Sequence, residues 1–194
     1  MATFETYTTE AIVCGSFSDK EHDRTLRLFT KEGGMLYARA GGTRAHVSKL
    51  RYGLQDFSYA KVTLVRGRSE WRVIGAVALD NFYYKARTRA ARAAVLAGTR
   101  SLSRFVQGGG RHPELFTEVV DGMYVLGAAE HPLGERVFLL RLLSHLGYVS
   151  PHASYAQLLS AATFEEACIC VQSEDFSVPV LEKTIENALT LSHL

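Results

Sequence analysis

Residues 59–78 read YAKVTLVRGRSEWRVIGAVA, and this stretch decides the fold. From Tyr59 to Val65 the chain alternates as Tyr, Ala, Lys, Val, Thr, Leu, Val, the period of two that belongs to a half-buried strand. Arg66-Gly67-Arg68-Ser69 reverses the chain, and Trp71 to Ala78 returns as a second strand. Upstream, Thr25 to Thr30 alternates in the same way before the turn signal Lys31-Glu32-Gly33-Gly34, and Met35 to Ala40 completes a hairpin. Thr9 to Val13 is a further short, β-branched run, while the polar and basic stretch Thr43 to Leu54 lacks a clean period and reads as a long loop with one helical turn. Five short strands with closely spaced turns, and no helix long enough for a βαβ crossover, imply a small antiparallel barrel, with the five-stranded OB barrel as the leading candidate.

Near Asn81 the period changes from two to between three and four. Phe82, Ala86, Ala90, Ala93, Leu96 and Ala97 recur at helical spacing, alanine is dense, and the segment reads as one amphipathic helix reaching about Val106. Gly108-Gly109-Gly110 ends it. Pro113 opens a second helix running to about Leu126, a third begins near Pro132 and stops at Gly147, and two weaker segments follow at Tyr155 to Thr163 and Pro179 to Leu191. The expected class is therefore α+β: an OB-type barrel over residues 1–80, then an all-α domain over residues 81–194. No proline-rich or serine-rich linker separates the two, and no internal repeat is visible.

Composition narrows the function. The chain has 194 residues, 47% apolar and 22% charged, which suits a packed core and excludes disordered and fibrous classes. Its formal charge of +2 is a sum of unequal parts: the balance is +3 over residues 1–80, +7 over residues 81–112, where no carboxylate occurs, and −8 over residues 113–194. A basic first part is the electrostatic footprint of a polyanion. Three cysteines, Cys14, Cys168 and Cys170, make no disulfide framework, and the N-terminus has no basic region followed by an apolar core. No apolar run approaches the ~18 residues that span a bilayer. The expectation is a soluble, cytoplasmic protein with no membrane contact.

Converging catalytic groups are not evident. There is no phosphate-binding loop of the Walker type, and Gly108-Gly109-Gly110 follows a helix where a dinucleotide site needs a strand before it, so it reads as a flexible interhelix loop. Cys168-Ile169-Cys170 is a single C-x-C pair, short of the four ligands of a structural zinc site, and reads as a strand or core edge. No nucleophile elbow surrounds a serine. These features point away from an enzyme and imply no cofactor or metal.

The basic residues are more informative. On the barrel, Arg24, Arg27, Arg39, Arg44, Lys49, Arg51, Lys61, Arg66, Arg68 and Arg72 accompany Tyr37, Tyr52, Phe57, Tyr59 and Trp71. Guanidinium forks hold phosphates and aromatic rings receive unstacked bases, the combination by which OB folds hold single strands. Taken singly, each arginine reads equally well as the solvated face of a strand and each aromatic as core; the cluster carries the argument. Lys85, Arg87, Arg89, Arg92, Arg100 and Arg104 have no carboxylate nearby in sequence to pair with and form a second anion-binding candidate. In the third helix, Arg136 and Arg141 lie among Phe138, Leu139, Leu140, Leu142 and Leu143; most of these are core, but an arginine beside an apolar groove can clamp the carboxylate of a short apolar peptide tail.

Three stretches also carry a family resemblance: Tyr7-Thr8-Thr9-Glu10-Ala11-Ile12-Val13, then Ser48-Lys49-Leu50-Arg51-Tyr52-Gly53-Leu54-Gln55-Asp56-Phe57, and FLLRLLSHLGY from Phe138 to Tyr148, with Leu28-Phe29-Thr30 and Val65-Arg66-Gly67-Arg68 agreeing between them. In these the chain resembles the bacterial RecO family of recombination mediators, over about residues 6–150. The resemblance implies an N-terminal OB fold with a helical domain, binding of single- and double-stranded DNA, annealing of complementary strands, capture of the C-terminal tail of single-strand-binding protein, and action with RecR to load RecA. It places the DNA surface at Arg24, Arg39, Arg44, Lys49, Arg51 and Arg68, and the tail site at Arg136, Phe138 and Leu142; the charge of the arginine helix adds Arg89 and Arg92 to the DNA-binding candidates. Gly41 stands where the family often has a lysine, the cysteine-rich zinc module of many members is absent, and residues 151–194 match poorly. An RNA-binding or translation-associated OB module is the alternative that the same basic and aromatic residues would serve.

Overall fold

The computed structural model describes residues 6–18, 23–41, 50–67, 70–172 and 176–191. Five strands, β1 (Thr6–Ser18), β2 (Asp23–Thr30), β3 (Gly34–Gly41), β4 (Ser58–Arg66) and β5 (Trp71–Asn81), close into a barrel in the order β1-β2-β3-β5-β4. A short helix, α1 (Leu50–Gly53), precedes β4. This is the OB fold. All pairings are antiparallel except β3 with β5, which run parallel through Ala38 opposite Trp71 and Arg39 opposite Arg72; the barrel is therefore not wholly antiparallel as its sequence implies.

The period of two in β4 has the consequence expected of it. Ala60, Val62 and Leu64 point inward and are fully buried, joining Ala11, Val13, Leu26, Leu28, Ala38, Ala40 and Val73 in one core. Several of these are alanines because a five-stranded barrel leaves little room along its axis. Leu54 completes the core from the segment after α1. Two register shifts on the β4–β5 pair, between Tyr59 and Ala60 and between Thr63 and Leu64, bend β5 and leave Ile74 and Leu79 as extra residues exposed on its outer side.

The helices are α2 (Phe82–Lys85), α3 (Arg89–Phe105), α4 (Pro113–Ala128), α5 (Gly134–His145), a 3-10 turn (Ala153–Tyr155), α6 (Ala156–Ser160), α7 (Phe164–Cys170) and α8 (Val178–Leu191). Two differences from the sequence reading stand out. The single helix expected from Asn81 to Val106 is broken, because the Thr88 side chain accepts a hydrogen bond from the Ala91 backbone N–H and so caps a fresh helix at Arg89. The Cys168-Ile169-Cys170 segment is helical and not a strand: Thr163 and Glu166 form a reciprocal capping box, and Phe164, Ala167 and Cys168 fall on the buried side. Burial pushes the Cys168 thiol up to about 12. The stop at Gly147 is as read, with φ of 81° and Tyr148 N–H donating to the Leu143 carbonyl.

The chain divides into two compact units, one of residues 1–84 with 107–113 and one of residues 85–106 with 114–194. The glycine run is thus part of the barrel unit. Met35 N–H donates to the Gly108 carbonyl at 3.1 Å, and Gly34, at φ of 64°, lies so close to this loop that a Cβ there would stand 2.2 Å from the Gly110 carbonyl oxygen. The run is docked on the β2–β3 turn, which the reading of a flexible interhelix loop does not anticipate.

Candidate nucleic-acid interface

The outer side of β1, β2 and β3 is built by register. Arg27 stands opposite Gly15 on one neighbour and Tyr37 on the other, and Phe17 follows two residues along from Gly15. The Arg27 guanidinium lies against both rings. Its central carbon is 5.3 Å from the Phe17 ring centre and 5.4 Å from that of Tyr37. Both rings remain about half exposed, at 50% and 51%. The Arg27 Nε is shut off from solvent without a hydrogen-bond partner, and among the described residues the rings hold this cation. Two solvent-facing rings around a cation form a platform on which bases can stack.

Next to this platform the charges cancel. Arg39 donates to Asp23 Oδ2 from Nε at 3.1 Å and from Nη2 at 2.7 Å, and its Nη1 is 3.7 Å from Glu70 Oε1. Glu70 Oε1 also accepts from Arg72 Nη2 at 3.1 Å. Two arginines and two carboxylates thus form a ladder across β2, β3 and β5. Arg24 shares the inward-facing parity of Leu26 and Leu28; it donates to Ser16 Oγ, and its Nη2 is 3.4 Å from Asp56 Oδ1. Of the other residues expected on this surface, Arg51 lies in α1, and Arg44, Lys49 and Arg68 lie outside the described residues.

At one end of the barrel is a cleft of about 630 Å3, lined by residues of β1, β3, β4, β5, the β2–β3 turn and the docked glycine loop. Tyr7 and Trp71 form its aromatic wall, with ring centres 6.3 Å apart and tilted by 45°. Arg66 lies over the indole at 5.6 Å, and the glycine loop brings Arg111 to the rim. Glu32 accepts hydrogen bonds from the hydroxyls of Tyr7, at 3.2 Å, and Thr9, both through Oε2. Burial raises the Tyr7 phenol above its ordinary 10.0. The sequence names Arg66 and Trp71 within a broad cluster, but Arg111 belongs to no motif and reaches this cleft only through the docking of the loop.

In the helical unit, α3 is sharply two-sided. Ala91, Val95, Gly98, Thr99, Leu102 and Phe105 are buried, whereas Arg89, Arg92, Arg100 and Arg104 are exposed and, at about 100° per residue, share an arc of roughly 120°. Arg92 Nε donates to the Ala86 carbonyl at 3.0 Å, tying one member of the row to the segment just before the helix.

The third-helix residues are distributed over α5. Arg136 donates to Glu182 Oε1 at 2.9 Å and lines a cleft of about 360 Å3 with Ala90, Leu126, His131 and Leu133. Phe138 and Leu142 are buried and face elsewhere, toward Leu115, Val119 and Phe164. Arg141 is buried too: it donates to Glu118 Oε1 and, at 2.5 Å and 3.2 Å, to the carbonyls of Leu158 and Ala161. Glu118 Oε2 meets His145 Nε2. Burial alone would raise the Glu118 carboxyl, but hydrogen bonds from His145 and Arg141 outweigh it and hold it below 4.5; the bond to Glu118 raises His145 above 6.5. This triad is architecture, joining α4, α5 and the segment around α6.

Comparison with known proteins agrees with the barrel. A family model described as recombination protein O N terminal matches residues 1–82. The chain is 31% identical over 142 residues to the DNA repair protein RecO of Desulfitobacterium hafniense, covering 73% of this chain and 52% of that one. It is 32% identical over 145 residues to its counterpart from Heliobacterium modesticaldum, with the same coverages, and 30% identical over 152 residues to that of Acetivibrio thermocellus, covering 72% and 57%. The chain spans about half the length of the curated relatives it matches. With the N-terminal family model lying on a closed OB barrel and these relatives extending the match beyond it, the chain belongs to the RecO family.

Proposed function

We propose that this protein is a DNA-binding recombination mediator, which binds and anneals single-stranded DNA and helps replace single-strand-binding protein with RecA during recombinational repair in the bacterial cytoplasm. The observation that carries the reading is Arg27 between the half-exposed rings of Phe17 and Tyr37 on the outer side of an OB barrel. Family membership supports it, since the matched relatives are DNA repair proteins.

In this reading residues 1–80 are the DNA-binding domain and residues 81–194 the partner domain. Arg24, Arg39, Arg44, Lys49, Arg51 and Arg68 contribute phosphate contacts, Arg24 and Arg39 by exchanging their present acidic partners for phosphate, and Arg89 and Arg92 add a second basic row. The role is non-catalytic: annealing follows from charge neutralisation, because phosphate repulsion is the main obstacle to bringing two strands together. In the partner domain, Arg136, released from Glu182, receives the terminal carboxylate of the single-strand-binding protein tail, with Phe138 and Leu142 supporting α5 from its buried side. RecR is the second partner.

The test is a titration of labelled single-stranded DNA over a range of salt concentrations, with RNA of equal sequence as competitor. A steep loss of affinity with salt and preference for DNA are expected. Salt-insensitive binding overturns the electrostatic reading, and preference for RNA would transfer the barrel to RNA recognition.

A further inference from the structure

We infer that the cleft at the end of the barrel, between Trp71 and Arg111, is a pocket for one nucleotide carrying an amino-substituted base, as a strand terminus or a free nucleoside phosphate. The inference rests on the nucleic-acid reading above and adds a separate site to it, away from the platform of Phe17, Arg27 and Tyr37.

Three features of the cleft support it. Its volume, about 630 Å3, lies within the ~300–1,000 Å3 typical of small-ligand sites. Its wall is aromatic, with Trp71 anchored against the barrel core on one side and approached by Tyr7 and Arg66 on others. Its cations are available: Arg66 and Arg111 are both exposed, and neither has a carboxylate partner among the described residues. The guanidinium of Arg66 lies over the indole face, the position that attracts cations and bases alike. A base stacking on Trp71 takes that place and sends Arg66 outward to the phosphate, where Arg111 provides the second fork.

Glu32 sets the choice of base. Its Oε2 is used by Tyr7 and Thr9, which fix the carboxylate in place, and Oε1 takes no hydrogen bond among the described residues. A fixed acceptor beside a stacking wall suits the exocyclic amine of adenine, cytosine or guanine, and fits thymine less well, whose single N3–H donor lies between two carbonyl oxygens that the carboxylate repels. It also repels the carboxylates of an acidic peptide, which two arginines alone would attract.

Trp71 is the only tryptophan in the chain, so its fluorescence reports on this cleft alone. The experiment titrates the full chain with dAMP, dCMP and dTMP, and with single strands bearing or lacking a 5′ phosphate, following Trp71 emission and, in parallel, the anisotropy of an end-labelled strand. Saturable quenching by dAMP and dCMP, several-fold weaker with dTMP, is expected; tighter quenching by the phosphorylated strand than by dAMP identifies a strand end as the source, tighter quenching by dAMP a free nucleotide, and equal quenching by strands with and without the phosphate overturns the phosphate contacts. The double variant Arg66→Gln, Arg111→Gln should lose affinity about tenfold or more, as expected for charge-assisted hydrogen bonds, with an unchanged melting temperature. Glu32→Gln should reduce the discrimination against dTMP. Strand binding by anisotropy without any change in Trp71 emission overturns the pocket and leaves the nucleic-acid reading standing. Absence of both overturns both. Quenching by an acidic peptide ending in phenylalanine, but not by nucleotides, overturns the pocket in favour of a peptide site.

Discussion

Arg27 and Tyr37 face each other directly across the β2–β3 ladder, with the guanidinium carbon 5.4 Å from the ring centre and no carboxylate in contact among the described residues. The pairing makes the cation part of an aromatic surface, and it sets the first expectation. Tyr37→Ala and Phe17→Ala should each weaken single-strand binding by about 1–3 kcal/mol, the usual worth of one stacked base. Arg27→Ala should do at least as much while leaving the fold intact. Equilibrium binding of the three single variants and the Arg27–Tyr37 double variant tests this; strictly additive losses would show that the stack does not act as a unit.

The salt dependence of binding should separate the arginines. Replacing Arg89 and Arg92 with glutamine is expected to flatten the slope of log affinity against log salt by about 1.4 for single strands, at roughly 0.7 per phosphate contact. Arg39→Gln should change the slope less, because Asp23 and Glu70 already compensate its charge. An unchanged slope in the double variant would remove α3 from the DNA path.

The Glu118 triad predicts a pH window for stability. Folded His145 titrates above its ordinary 6.5, so its contribution is complete below that pH and drains away as pH rises through the folded value. Folded Glu118 titrates below 4.5, so its contribution holds above 4.5 and is lost as acid takes the pH through its folded value. The helical unit should therefore resist unfolding best between 4.5 and 6.5. Melting curves of His145→Gln should lack the alkaline decline, and a parallel decline in both proteins would assign it to another group. Glu118→Leu, which strands buried Arg141 without its counter-charge, should cost about 3–5 kcal/mol.

Arg136 is held by Glu182 at 2.9 Å in a half-exposed pair. Should Arg136 be the clamp for a terminal carboxylate, Glu182→Gln frees it and tightens binding of a single-strand-binding protein tail peptide several-fold, whereas Arg136→Ala weakens the peptide and spares DNA. Calorimetry with the peptide distinguishes the two, and a loss of peptide affinity in Glu182→Gln would contradict the assignment.

The barrel was legible because its signal is local. Alternation in residues 59–65 and 25–30 places alternate side chains in the core wherever the strands pair. The helix break at Thr88 was less so: alanines continue at helical spacing across it, and only the threonine side chain, read as a cap, marks the restart. The helix at Cys168 has a readable signal in Thr163-Phe164-Glu165-Glu166, a capping-box pattern, whereas the C-x-C alternation by itself is equally compatible with a strand. The interface was legible as a composition and not as a geometry. Nothing local shows that Asp23 neutralises Arg39, that Tyr37 stands opposite Arg27, or that Arg111 reaches the cleft holding Trp71; each depends on strand register or on loop docking. Phe138 and Leu142 illustrate the converse, since apolar residues covering more than one side of α5 are mostly packed inward.

The hydrogen bond from Met35 to Gly108 has a bearing on how the molecule is made. Residues 107–113 belong to the barrel unit although α3 separates them from β5, so an emerging chain can pair its five strands but cannot complete that unit when the last strand leaves the ribosome. It must first deliver the whole of α3 and the glycines behind it, and until then the β2–β3 turn waits with an open amide and a vacant left-handed glycine. Synthesis of the first helix of the second unit is thereby a precondition for maturation of the first, and a gene fragment ending at Tyr84 would encode five strands but an unfinished domain.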